Sequence, residues 1–135
     1  MDDRNQIIEA LARFASGLDR KDWDALREIL LPDAFAYGSS GREETIATVR
    51  RHLGGCGPTQ HLLGNHRVEV DGDRARSLTY ARVYHLGAGE REGDFYECFG
   101  EYEDHWTRTA EGWRLARRRF EITLQLGDFS VLQPG

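Results

Sequence analysis

Asp19, Tyr37, His61 and His85 are the side chains of this sequence whose types and placement could move protons. Asp19 extends the apolar stripe of the first predicted helix, so its carboxylate points along the buried side. A carboxylate in a last helical turn meets the negative end of the helix dipole, at a cost of about 0.3–1 kcal/mol before desolvation is added. Either a donor from elsewhere compensates it, or Asp19 is an ordinary turn residue bonding nearby amides. The stem Asp19-Arg20-Lys21-Asp22-Trp23 offers no such donor on the buried face.

Of the five histidines, His61 opens a long predicted strand just after a glycine-rich loop, and His85 ends the next strand. Two imidazoles facing one cavity beside a buried carboxylate are the parts of an acid–base site. The others, His52, His66 and His105, read as structural or solvated. No histidine pair has the i, i+4 spacing of a helical zinc site and no cysteine cluster accompanies them, so no metal is expected.

The elements that must position these groups are legible. Ile7, Ile8, Leu11, Phe14, Ala15 and Leu18 fall at helical spacing. Asp22 caps a shorter helix carrying Trp23, Leu26, Ile29 and Leu30, which Pro32 ends. Ala34–Tyr37 reads as a short strand, Gly38–Gly41 as a turn, and Glu43–Leu53 as a third helix. From Thr59 the period changes to two, with strands near Thr59–Val70, Asp73–Leu86, Gly93–Arg108 and Trp113–Leu126 and turns at Asp71-Gly72 and Glu111-Gly112. Helices followed by long antiparallel strands make an α+β domain, with helices on one face of a curved sheet. In the second strand, Ala75, Ser77, Thr79, Ala81, Val83 and His85 form one face of mostly small side chains. Such a face either leaves a cavity beneath the helices or lets a helix pack close.

The chain has 135 residues, 18 Lys plus Arg against 23 Asp plus Glu, and a formal net charge of −5. That is one domain, residues 1–135, with a core that needs neither disulfide nor metal. Its cations form no aromatic-laced stripe, which argues against nucleic acid. The dense run Arg117-Arg118-Arg119 is expected to be a solvated or subunit-facing strand edge. Lys21, the single lysine, sits in a polar turn that would not desolvate it for Schiff-base chemistry. With no charged-then-apolar leader and no run of about 18 apolar residues, neither secretion nor a membrane is expected. A cytoplasmic setting with reduced Cys56 and Cys98 follows.

The run Leu18-Asp19-Arg20-Lys21-Asp22-Trp23-Asp24-Ala25-Leu26-Arg27, then Tyr37, Thr59-Gln60-His61-Leu62-Leu63-Gly64 and His85, resembles the SnoaL-like and scytalone dehydratase-like branch of the nuclear transport factor 2-like superfamily. The closing His105-Trp106 and Glu111-Gly112-Trp113-Arg114-Leu115 are similar too. The resemblance implies a cone: three N-terminal helices on a strongly curved, mixed and mostly antiparallel sheet enclosing an apolar pocket, in a homo-oligomer, dimer or trimer, built on the sheet's outer face. It implies no cofactor. It also implies roles: Asp19 orients His61, which takes a proton next to a carbonyl; Tyr37 helps hold the carbonyl oxygen; His85 supports a leaving hydroxyl. Phe14, Leu18, Trp23, Asn65, Val83, Tyr102 and Asp104 are expected to surround the substrate.

There are departures. Leu18 stands where that branch has a second tyrosine, and Glu101 and Glu103 stand where it has pocket Ser and Asn. Strand alternation offers the opposite register, with Glu101 and Glu103 outward and Asp104 inward. Phe14 replaces an oxyanion-hole tyrosine of ketosteroid isomerases, which disfavours that route. The tail Leu126–Leu132 either closes over the cavity or frays. The expected function is a cofactor-independent lyase or isomerase acting on a small, mostly apolar polyketide-, aromatic- or terpenoid-like carbonyl compound. The rival is a non-enzymatic binding or assembly module of the same fold. A third reading, epoxide hydrolysis, requires an Asp and Arg network gripping a water, which the pocket candidates do not supply.

Overall fold

In the computed structural model, which describes residues 1–134, helix α1 (Asp3–Arg20) begins where Asp2 accepts the Asn5 N–H at 2.8 Å. It buries Ile7, Ala10, Leu11, Phe14, Ala15, Gly17 and Leu18. Its end is closed by Lys21 at φ 54, a left-handed position where glycine is usual, with the Asp22 N–H returning to the Gly17 carbonyl. Asp22 then caps α2 (Trp23–Ile29). The two helices approach closely at Gly17, where a Cβ would come within 2.9 Å of Leu26 Cδ2.

Strand β1 (Leu30–Ala36) starts at Leu30, earlier than the sequence suggests, because Pro32 sits where β1 loses register with its neighbour and no ladder N–H is needed. Tyr37 is not the end of that strand. With Gly38 it makes the two-residue turn, φ 53 and φ 76, that leads to β2 (Ser39–Ser40). Helix α3 (Arg42–Leu53) and a glycine-rich loop follow.

The sheet is completed by β3 (Thr59–Asp71), β4 (Arg74–Leu86), β5 (Phe95–Thr109) and β6 (Gly112–Gly127). Its order is β2-β1-β6-β5-β4-β3, with β1 and β6 parallel and every other pair antiparallel, and it does not close. Bulges between Phe99 and Gly100, His105 and Trp106, and Gly64 and Arg67 bend the long strands around the helices. Helix residues Leu11, Phe14 and Leu26 share one core with Trp106, Trp113 and Leu115 of the sheet. This is the α+β arrangement expected: three helices against a curved, mixed, mostly antiparallel sheet.

Both readings of the small-residue face of β4 hold, each for one half. From Ala75 to Ala81 the space is filled, and Ser77 accepts the Trp106 indole N–H at 2.9 Å. From Val83 to His85 it lines a hollow. On β5, Asp104 faces inward and is fully buried, while Glu103 faces outward and accepts from Arg76 Nε at 2.8 Å. Among the described residues no helix is long and apolar enough to cross a membrane.

Candidate active site

The hollow, ≈ 730 Å³, lies between α3, the C-terminal turn and the inner face of the bent sheet. Its polar lining includes Tyr37, His52, His61, His85 and Arg118, and its apolar lining includes Leu18, Val49, Val83, Phe120, Phe129 and Leu132. It spills over the lip of β6 toward outward-facing Arg117 and Arg119.

The donors that Asp19 lacks in its own helix come from β3. His61 Nδ1 donates to Asp19 Oδ1 at 2.6 Å, the His61 backbone N–H to Oδ2 at 2.9 Å, and the Thr59 hydroxyl to Oδ1 at 2.9 Å. Burial alone would raise the Asp19 pKa, but the hydrogen bonds and charge of His61, with its N–H and Thr59, outweigh it and hold the carboxyl below its ordinary 3.8. An ionised carboxylate only accepts, so Nδ1 of His61 carries the hydrogen, and in the neutral ring Nε2 is the nitrogen with the lone pair. Lys21 braces this corner from the other side, its ammonium donating to the Gly54 and Cys56 carbonyls of the loop that leads into β3.

His85 is pinned in the same tautomer, with Nδ1 donating to the Tyr96 carbonyl at 2.8 Å and its ring stacked on Tyr96 at 5.4 Å. Burial, reinforced by the neighbouring His61, pushes its pKa below the ordinary 6.5 against the pull of that bond. His85 is therefore an acceptor at neutral pH, able to hold a hydroxyl and poorly suited to protonating it. His52, read from sequence as structural, also borders the hollow, its Nδ1 donating to the Thr48 carbonyl at 2.9 Å.

Several expected substrate contacts lie elsewhere. Asp104 is fully buried behind the wall, both its oxygens taken by Arg118 at 2.7 and 3.1 Å. Phe14 is 1% exposed and packs 4.8 Å from the Arg118 guanidinium, again behind the wall. Trp23, at the first turn of α2, packs against the core under Arg50 rather than in the hollow. Asn65 is exposed at the β3 bulge with φ 52, a turn-like position that carries it outward. Leu18, Val83 and Tyr102 do border the hollow.

The middle residue of the arginine run also departs from expectation: Arg118 is buried, while Arg117 and Arg119 are exposed. A signal for it existed, since an inward Asp104 demands a cation. The Asp and Arg pair that epoxide hydrolysis would require is thus present, but Asp104 is fully buried, out of reach of a water in the hollow. The tail neither hangs free nor frays. Val131 is fully buried, the Gly55 N–H donates to the Gln133 carbonyl at 2.9 Å, and Phe129 meets Tyr96 edge-on at 5.3 Å over the hollow.

Comparison with known proteins agrees with this architecture. The SnoaL-like domain profile matches residues 1–119. An uncharacterized protein of Mycobacterium tuberculosis strain H37Rv is 34% identical over 122 residues, covering 86% of this chain and 82% of that one. The crystal structure of the Kfla4162 protein of Kribbella flavida superposes with a TM-score of 0.86 at 26% identity, covering 96% of this chain and 95% of that one. A candidate scytalone dehydratase of Novosphingobium aromaticivorans shares the fold, with a TM-score of 0.84 at 19% identity over 96% of this chain and 91% of that one. The chain belongs to the SnoaL-like domain family, within the nuclear transport factor 2-like fold.

Proposed function

We propose that this protein is a cofactor-independent lyase or isomerase that abstracts a proton next to a carbonyl of a small, mostly apolar ring compound. The reading is carried by the Asp19–His61 hydrogen bond of 2.6 Å at the wall of the hollow. A carboxylate behind an imidazole fixes its tautomer and stabilises the imidazolium that forms on proton transfer. His61 Nε2 takes the proton, Tyr37 donates to the oxygen on which charge collects, and His85 Nε2 accepts from the substrate hydroxyl. In a dehydration the proton gained by His61 is handed to the departing hydroxyl, which leaves as water while the C=C bond forms. With no hydroxyl to expel, the same abstraction ends in isomerisation or cyclisation.

The partner is a small molecule. A homo-oligomer is in keeping with the outer sheet face, where Tyr80, Tyr84, Phe95, Leu124 and Leu126 are exposed apolar groups. The test is deuterium uptake from D₂O into a panel of cyclic ketones, followed by NMR. The enzyme should exchange at least one ketone, and His61→Ala should stop it while the fold persists. Absence of exchange across the panel, or exchange that survives His61→Ala, leaves the non-enzymatic binding module as the function.

A further inference from the structure

Arg118 is an expensive residue at the wall of the hollow, where almost none of its side chain is open to solvent. Its side chain is 2% exposed and that of Asp104 is 0% exposed. Asp104 takes Nε and Nη2, and the guanidinium is packed 3.7 Å over the Tyr102 ring and 4.8 Å from Phe14. The remaining nitrogen, Nη1, donates to the Tyr37 hydroxyl at 3.0 Å. Tyr37 is half-buried and borders the hollow. With its three nitrogens all engaged, Arg118 presents its charge to the hollow chiefly through that phenol.

A buried ion pair is a poor way to hold a core together, because apolar side chains of similar volume do as well or better. What this pair supplies that apolar residues cannot is a fixed positive charge one hydrogen bond behind the Tyr37 oxygen. That oxygen accepts from Arg118 and is also bonded by the Tyr102 hydroxyl, which keeps its own proton, so the Tyr37 hydrogen is left to donate, and a donor polarised from behind is a stronger donor. Tyr37 sits at a left-handed turn position, φ 53, a costly backbone conformation for a side chain of this size, and the bond from Arg118 holds its hydroxyl in place. Asp104 fixes the orientation of the guanidinium, gripping it at two nitrogens and leaving the third aimed at Tyr37.

We infer that Arg118 is a positioning residue, oriented by Asp104, that turns Tyr37 into an oxyanion donor, so that the hollow prefers planar enolates and phenolates to their neutral forms. The inference rests on the proton-abstraction reading and assigns its charge-stabilising half.

The test needs no turnover. 4-Nitrophenol, whose ionised and neutral forms absorb differently, is titrated with pH in the presence of saturating protein. The wild type should bind the phenolate in preference to the phenol, lowering the bound ligand's apparent pKa. Truncating Arg118 alone risks misfolding, so the informative variant replaces the pair together, Arg118→Met with Asp104→Leu. That variant should lose the preference by about tenfold or more, the equivalent of one pKa unit. Tyr37→Phe should lose as much, and combining it with the pair replacement should cost nothing further. A preference that survives the pair replacement makes Arg118 merely structural. An added loss in the Tyr37→Phe background means direct contact with ligand. Failure to bind 4-nitrophenol, or binding it as the neutral phenol, also overturns the inference. The readout requires no proton abstraction from carbon by His61. Ketone exchange that persists without any Arg118-dependent ionisation defeats this inference alone, and ionisation without exchange defeats only proton abstraction.

Discussion

The carboxylate of Asp19 grips His61 twice, its Oδ1 accepting from the ring and its Oδ2 from the backbone N–H of the same residue. The second contact locks the first. His61 is paired with Val83 in the β3–β4 ladder, so the imidazole is referenced to the sheet while the carboxylate is referenced to α1. Asp19→Asn keeps the shape but offers an amide where an ionised acceptor stood. Ketone deuterium exchange should fall by about 10²–10⁴-fold, with the far-ultraviolet circular dichroism unchanged. Exchange equal to wild type would remove Asp19 from the mechanism.

His85 makes stability depend on pH. Its folded pKa lies below the unfolded value of 6.5, chiefly through burial. The unfolded chain therefore takes up the proton more readily, so the stabilisation is complete above 6.5 and drains away as pH falls through the depressed folded pKa. His66 shifts the same way, again through burial, and adds to the slope. Asp19, held below 3.8, contributes its own loss only in stronger acid. Urea unfolding between about pH 7.5 and about pH 5 should show stability declining with acid, and His85→Gln should flatten that decline. An unchanged slope in the variant would mean that His85 is not the group being titrated.

Gly100 lets β5 pass close to β6. A Cβ there would fall 2.3 Å from the Glu121 carbonyl oxygen and 2.7 Å from Phe120 Cε1, and the nearer atom is backbone that cannot swing away. Gly100→Ala should cost about 1–3 kcal/mol as overpacking, measured by urea denaturation. Gly64, with nothing within 4 Å of a built Cβ, is the matched control and should tolerate alanine.

Lys21 combines a strained backbone with a useful side chain. Lys21→Met removes the ammonium that holds the Gly54 and Cys56 carbonyls and keeps the left-handed φ of 54. Lys21→Gly removes the same bonds but relieves the backbone, by about 1 kcal/mol. Glycine should thus be the milder substitution in thermal unfolding. The reverse order would show that the lysine stem, not its charge, carries the contribution.

Local periodicity was enough to find nearly every element of this fold. Apolar spacing marks α1 through Leu18, and alternation marks the four long strands to within a residue or two, because both signals depend only on neighbours along one segment. The resemblance in the Asp19, Tyr37, His61 and His85 order named residues that the structure brings to one hollow. What tertiary structure decided was phase and depth. Strict alternation from Trp113 and Leu115 would turn Arg117 inward, but the bulge that pairs Trp106 with Leu115 and His105 with Arg117 inserts one residue and inverts the row, so Arg118 is buried instead. Asp104 and Phe14 then became the lining of an arginine rather than of a ligand pocket. A bulge is a property of two paired strands, and whether a buried side chain meets a cavity or another side chain depends on what arrives from the far side of the core. Neither is written in the period of any one segment.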